Sequence, residues 1–184
     1  LAIFVLLYAT VFYAFNFKFL ADKMFYQPEN KILATVATNK VDSTKLVIGV
    51  ALNGQTKAYP VEIISYHHQV VDTVGGEPVM VTYCSVCRTG RVFSPFVNGK
   101  LEKFRLVGMD HFNAMLEDEG TKSWWRQATG EAISGKLKGR RLPEVFSNQT
   151  TLAKWLLLYP GSKIMQADPD FIKSYDSTMN YENG

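Results

Sequence analysis

Twice this chain sets an Asn-Gly dipeptide between two runs of strand-forming residues, and that arrangement narrows its folding more than any other feature. Both residues of the dipeptide tolerate positive φ, which a two-residue turn needs to send a strand back along itself. The first hairpin is expected from residues 45–52 (KLVIGVAL), turning at Asn53-Gly54 and returning through 55–59. The second is expected from residues 91–97, turning at Asn98-Gly99 and returning through 100–107. Between them, Pro60 suits a first helical turn, and VEIISYHHQVV puts Ile63, Ile64, His67, Val70 and Val71 near one helical face. Asp72-Thr-Val-Gly-Gly76 should stop that helix, and residues 77–83 (EPVMVTY) read as a buried strand leading to Cys84. Near the end, Thr150-Thr151 can cap a helix through Trp155 and Leu158 that Pro160-Gly161 terminates, with a last strand at 164–167 and a loosely ordered tail from Asp168. The expected class is α+β, mainly antiparallel β-hairpins with a few short helices.

The first residues have a different character. Residues 1–15 (LAIFVLLYATVFYAF) carry no charge, and the apolar stretch runs on to Leu20. Roughly 20 such residues at about 1.5 Å each cross a hydrocarbon layer, so one N-terminal transmembrane helix is expected to precede the domain. Tyr, Phe, Lys18 and Lys23 would form its interfacial belt, and with no initiating methionine the span is expected to extend upstream. The division is then an anchor at 1–24, a polar connector at 25–44 and one soluble domain at 45–184. Basic residues visible on one flank alone do not orient the span.

Composition sets outer bounds. A chain of 184 residues, 47% of them hydrophobic, can bury a core of its own. Its formal charge of +3 comes from scattered lysines and arginines among nearly as many acids, so no basic groove for nucleic acid is expected. With two cysteines, a disulfide-rich scaffold is ruled out, and their close spacing points to a local site.

That site is Cys84-Ser-Val-Cys87. Two thiols on a tight loop can share a metal or close a disulfide. Thioredoxin-like enzymes run from such a motif into a helix, whereas Arg88-Thr-Gly-Arg91 here favours a turn and a strand. A metal needs further ligands, and the only histidines are His67, His68 and His111. With Cys84 and Cys87 they make a candidate metal set, with His67 ahead of the other two, and thiolate with imidazole suits zinc or copper. The alternative is a hydrogen-bonded structural histidine and a small disulfide. The acidic stretch through Asp110, Asn113, Glu117, Asp118 and Glu119 reads as a solvated loop, and Trp124 and Trp125 read as core and interface aromatics. No nucleotide-binding glycine loop, GxSxG elbow, HExxH or CxxCH motif is present.

Several motifs in order resemble a family. Lys57-Ala-Tyr-Pro60, Tyr66-His67 through Val70, Asp72-Thr-Val-Gly-Gly76, Val81-Thr-Tyr-Cys-Ser-Val-Cys87, Ser123-Trp-Trp-Arg-Gln127, and Gly130-Glu-Ala-Ile133 with Gly135 are similar to the pattern of domain of unknown function 3179, a bacterial and archaeal family. On that pattern His67 takes the family histidine, and Cys84 and Cys87 its cysteine pair. Tyr66 replaces a tryptophan, His68 an acid, Val71 an asparagine and Arg88 a glycine. The resemblance implies an exported or membrane-tethered bacterial domain with no established reaction.

The functional expectation is a membrane-anchored, periplasm-facing domain of the bacterial inner membrane, bearing a metal-binding or thiol-redox site, with the lipid bilayer as its immediate partner. The alternative is a non-catalytic accessory subunit of a larger membrane complex, held to other subunits by its aromatic helix.

Overall fold

The computed structural model describes residues 1–28 and 30–178. The chain is mostly β-sheet with short helices. Helix α1 (Ala2–Tyr13) passes into a π-helical turn at Ala14–Lys18, and a one-turn helix α2 (Ala21–Met24) follows. Then come β1 (Leu33–Ala34), a 3-10 turn at Val36–Thr38, β2 (Leu46–Leu52), β3 (Gln55–Pro60) and α3 (Val61–His67). The middle of the chain supplies β4 (Gln69–Val74), β5 (Glu77–Cys84), β6 (Thr89–Phe93), β7 (Phe96–Val97), β8 (Lys100–Leu101), β9 (Phe104–Asp110), β10 (Asn113–Asp118), β11 (Trp124–Arg126) and β12 (Ala132–Ser134). It closes with β13 (Ser147–Thr151), α4 (Leu152–Leu158), β14 (Lys163–Met165), a 3-10 turn at Pro169–Phe171 and α5 (Ile172–Thr178).

The expected transmembrane helix is overturned: among the described residues, no helix is long and apolar enough to cross a membrane. α1 is apolar around its whole circumference and buries none of its residues, but its α-helical bonding ends after 12 residues, about 18 Å. Beyond it the N–H of Phe19 bonds back five residues to Ala14, and Leu20 turns extended at ψ 140°. Asn16 donates its side-chain amide to Phe12 O, and Lys23 Nζ caps the freed carbonyl of Phe17. Even with the π turn, the helical run falls short of the roughly 30 Å of hydrocarbon.

The strands form a five-stranded sheet in the order β1-β14-β3-β2-β13, a three-stranded sheet β4-β5-β6, a four-stranded sheet β12-β11-β10-β9, and the small pair β7-β8. Among the described residues, only β14 with β3 is parallel. β2 shows why the layers stack: alternate residues face opposite sides. Ile48 and Val50 enter a core with α3, Val70, Val79, Val81 and Tyr175, while Val47 joins Trp155 and Leu152 of α4 on the other side. Gly49 lies against the Trp155 ring, where a Cβ would come within 2.3 Å of a ring carbon. A further core, with Met80, Cys84, Phe93, Leu106, Leu116 and Trp125, joins the three- and four-stranded sheets.

Both Asn-Gly turns are present, with Asn53, Gly54, Asn98 and Gly99 all at positive φ, but the second joins only the short β7 and β8, since 91–93 pairs with β5 and 104–107 lies in β9 beside β10. The helix after Pro60 is shorter than its periodicity suggests. His68 takes a left-handed conformation (φ 59°), ends α3, and Val70 and Val71 become part of β4. Gly75-Gly76 therefore turns β4 into β5 rather than stopping a helix. The segment expected to be a connector contributes β1, which pairs with β14. The tail from Asp168 is helical as far as Thr178, and its remainder lies outside the described residues.

Candidate functional site

β5 and β6 are neighbours in register up to Cys84 opposite Thr89, and residues 85–88 turn between them with Arg88 at φ 50°. That turn brings the two cysteine Cα atoms to 5.5 Å, and the pair is a disulfide. Cys84 is buried and Cys87 partly so. The N–H of Cys87 donates to Cys84 Sγ at 3.4 Å. Thr89 Oγ1 donates to Cys87 O, while the Gln127 amide donates to Thr89 O and Thr82 Oγ1, pinning the loop from the four-stranded sheet's side.

A second turn presses on the disulfide. β9 returns into β10 through His111 and Phe112, both in the left-handed region (φ 47° and 63°) that bulky side chains rarely occupy. This conformation aims the Phe112 carbonyl at Cys84 Sγ, 3.5 Å away, and sets Asn113 Oδ1 3.7 Å from Cys87 Sγ. Asn113 is held in turn by donating to His111 O. A disulfide has no proton to give these oxygens; the two thiols of the reduced pair would each find an acceptor already in place.

Beside Cys84 opens a cavity of about 200 Å³. Phe25, Leu106, Met109, Ala114 and Val86 supply apolar wall, and His68 lies on it too. His68 faces β5: Tyr83 N–H donates to its carbonyl, and its Nδ1 lies 3.2 Å from Tyr83 O. Because a carbonyl only accepts, Nδ1 carries the proton and Nε2 the lone pair. Phe25 packs edge-on against the ring at 4.6 Å. Burial lowers the His68 pKa, the Tyr83 bond opposing it in part.

His67 points elsewhere. It is fully buried among Tyr66, Phe171 and Tyr175, with Nδ1 bonded to Tyr26 O and Nε2 2.7 Å from Tyr175 OH. Nδ1–H therefore donates to Tyr26 O and Nε2 accepts from Tyr175, which satisfies a neutral ring. Burial lowers its pKa, against the Tyr26 bond and the nearby Asp168. His111 is exposed at its turn, 2.7 Å from Asp110 Oδ1. So His68 shares a cavity wall with Cys84, which is bonded to Cys87, while the side chains of His67 and His111 lie elsewhere. Among the described residues, no group of three or more His, Cys, Asp or Glu side chains is arranged to hold a metal ion.

The other motifs build the frame. Lys57 and Asp72 form a buried ion pair at 2.8 Å that Tyr59 OH joins, tying β3 to β4. Burial would raise the Asp72 pKa, but bonds from Lys57, Thr73 and Tyr59 bring it below the usual carboxylate range, while burial raises that of Tyr59. Asp118, expected in a solvated loop, is fully buried at the end of β10. It accepts from Thr121 Oγ1, Ser123 N–H and Trp125 Nε1, which outweigh burial and lower its pKa. Glu117 is held by Arg105 and Trp124. Sequence reasoning missed Phe112 and read Asn113 as part of a solvated loop; the place of both over the disulfide depends on strand register. Gln127, at the end of the Ser-Trp-Trp-Arg-Gln motif, was the one loop anchor carrying a sequence signal.

No curated protein and no solved structure matches this chain. The family model described as protein of unknown function (DUF3179) matches residues 27–183, taking in the disulfide loop, its covering turn and every framing motif, and the chain belongs to that family.

Proposed function

We propose that this chain is a thiol-disulfide exchange module whose Cys84–Cys87 pair cycles between disulfide and dithiol. The observation that carries the reading is the pair of oxygens facing the two sulfurs, Phe112 O and Asn113 Oδ1. They give each reduced thiol an acceptor, so the dithiol state leaves neither S–H without a partner. The Cys87 N–H beside Cys84 Sγ favours a thiolate there, the charge state that exchange chemistry requires. A disulfide persists in an oxidising compartment, which supports an exported, periplasmic location.

The test is equilibration of the folded protein in glutathione buffers of graded potential, followed by acid quench, alkylation and mass analysis. A two-electron transition with a midpoint more oxidising than about −300 mV is expected, because structural disulfides generally lie below that value. A pair that stays oxidised through the whole glutathione range is a structural staple and overturns the proposal.

A further inference from the structure

Resting on that reading, we infer that His68 is the catalytic base of the exchange: its Nε2 takes the proton of the Cys84 thiol, and Cys84 is the sulfur that meets an organic disulfide in the adjoining cavity. Three observations support this role. The bond from Nδ1–H to Tyr83 O fixes the tautomer, and Nε2 is the ring nitrogen with no hydrogen-bond partner among the described residues. Tyr83 immediately precedes Cys84, so the contact that orients the ring also registers it against the cysteine's strand. Finally, His68 and Cys84 are the two titratable groups on the wall of the same cavity.

The charged groups on the surrounding elements are engaged with one another or stand off the cavity wall. Asp22 of α2 pairs with Arg105 of β9, and Asp110 at the end of β9 with Arg126. Lys23 is turned to Phe17 O, His67 to Tyr26 and Tyr175, and Arg88 is exposed beyond the loop. The imidazole is neutral near pH 7, since burial lowers its pKa.

From the reduced pair, the Cys84 S–H rotates from Phe112 O toward the cavity, Nε2 accepts its proton, and the thiolate attacks a substrate disulfide R–S–S–R. A Cys84–S–R bond forms, the substrate S–S bond breaks, and the departing RS⁻ recovers the proton from the imidazolium as RSH. The Cys87 thiol then attacks Cys84 Sγ, closing the protein disulfide and releasing the second RSH. The dithiol loses two electrons and the substrate disulfide gains them. With apolar walls and a volume of about 200 Å³, the cavity takes a compact apolar R group next to the reacting sulfur.

The experiment measures carboxamidomethylation of Cys84 by iodoacetamide from pH 5.5 to 10, in Cys87→Ser protein with and without His68→Asn. Asparagine tolerates the left-handed backbone at this position and keeps a donor for Tyr83 O. With His68 present, the reactive limb should begin well below the ordinary thiol value of about 8.5. With His68→Asn, the rate at pH 6.5 should fall at least about tenfold, as for loss of a general base, and the two profiles should converge above pH 9.5. Superimposable profiles, or an equal loss at every pH from a merely structural change, overturn the inference. The glutathione equilibrium of the wild-type pair is read separately. A normal midpoint with superimposable profiles removes only the role of His68, whereas a pair that never equilibrates removes the exchange reading itself.

Discussion

His67 and His68 are adjacent in sequence and opposite in circumstance. The left-handed turn at His68 rotates its side chain off the face that His67 shares with Ile63 and Ile64. His67 consequently ties three parts of the chain together: its own helix, the backbone of Tyr26, and Tyr175 of α5. Replacing it with glutamine removes the ring that spans Tyr26 O and the Tyr175 hydroxyl, and a flexible amide does not hold both contacts in the same geometry. His67→Gln should therefore lower stability by about 1–3 kcal/mol in urea denaturation, with the Cys84–Cys87 midpoint unchanged. A shifted midpoint would mean that the change at His67 reaches the cysteine loop, contrary to the separate hydrogen-bond partners of the two rings.

At the level of elements, the most heavily engaged group is the Asp118 carboxylate, which organises the turn from β10 into β11. Its partners Thr121, Ser123 and Trp125 all lie within the next seven residues. Asp118→Ala would strand four donors, two of them in buried residues, and should cost at least about 2 kcal/mol, visible as a lower urea midpoint. A loss under 0.5 kcal/mol would show that water substitutes readily there. The same elements show what a single sequence makes legible. Asn53-Gly54 and Asn98-Gly99 announce their turns because the dipeptide's own sterics favour positive φ. The Thr151 cap of α4 and the strand leading to Cys84 are equally local, and both appear where expected. The end of α3 was not legible, because nothing marks His68 as left-handed; the apolar spacing runs on through Val70 and Val71, which a helix and a buried strand would both satisfy. For the same reason His67, on the expected helical face, stood ahead of His68 at the cysteines. The burial of Asp118 is equally invisible from within an acidic run, since it depends on donors that fold back over it. The N-terminal run misled through composition: apolar residues suffice for a span, but the hydrogen-bond pattern that ends α1 is not written in hydropathy.

Across the whole molecule, groups with shifted pKa values predict a staged response to acid. His67 and His68 have folded values below the ordinary imidazole value of about 6.5, so as pH falls the unfolded chain takes up their protons first. Their contribution is complete above that value and is lost as pH drops through the folded values. Asp72, Glu117 and Asp118 are also depressed, so their contribution persists down to about pH 4 and disappears below it. Urea midpoints measured from pH 8 to 3 should fall in two steps, the upper one diminished in His67→Gln protein. A flat response between pH 8 and 5 would contradict the buried-histidine assignment. The five-stranded sheet carries a further consequence, for the chain as it is made. Its centre, β3, needs β14 as its parallel neighbour, and β1 reaches the sheet only through β14. β1 and the outer flank of β3 therefore wait for residues 163–165, a separation that makes this sheet slow to close and leaves that flank open during synthesis. The cysteines sit on a hairpin whose two strands are contiguous, so that hairpin can pair, and its thiols can meet an oxidant, while the larger sheet is still incomplete.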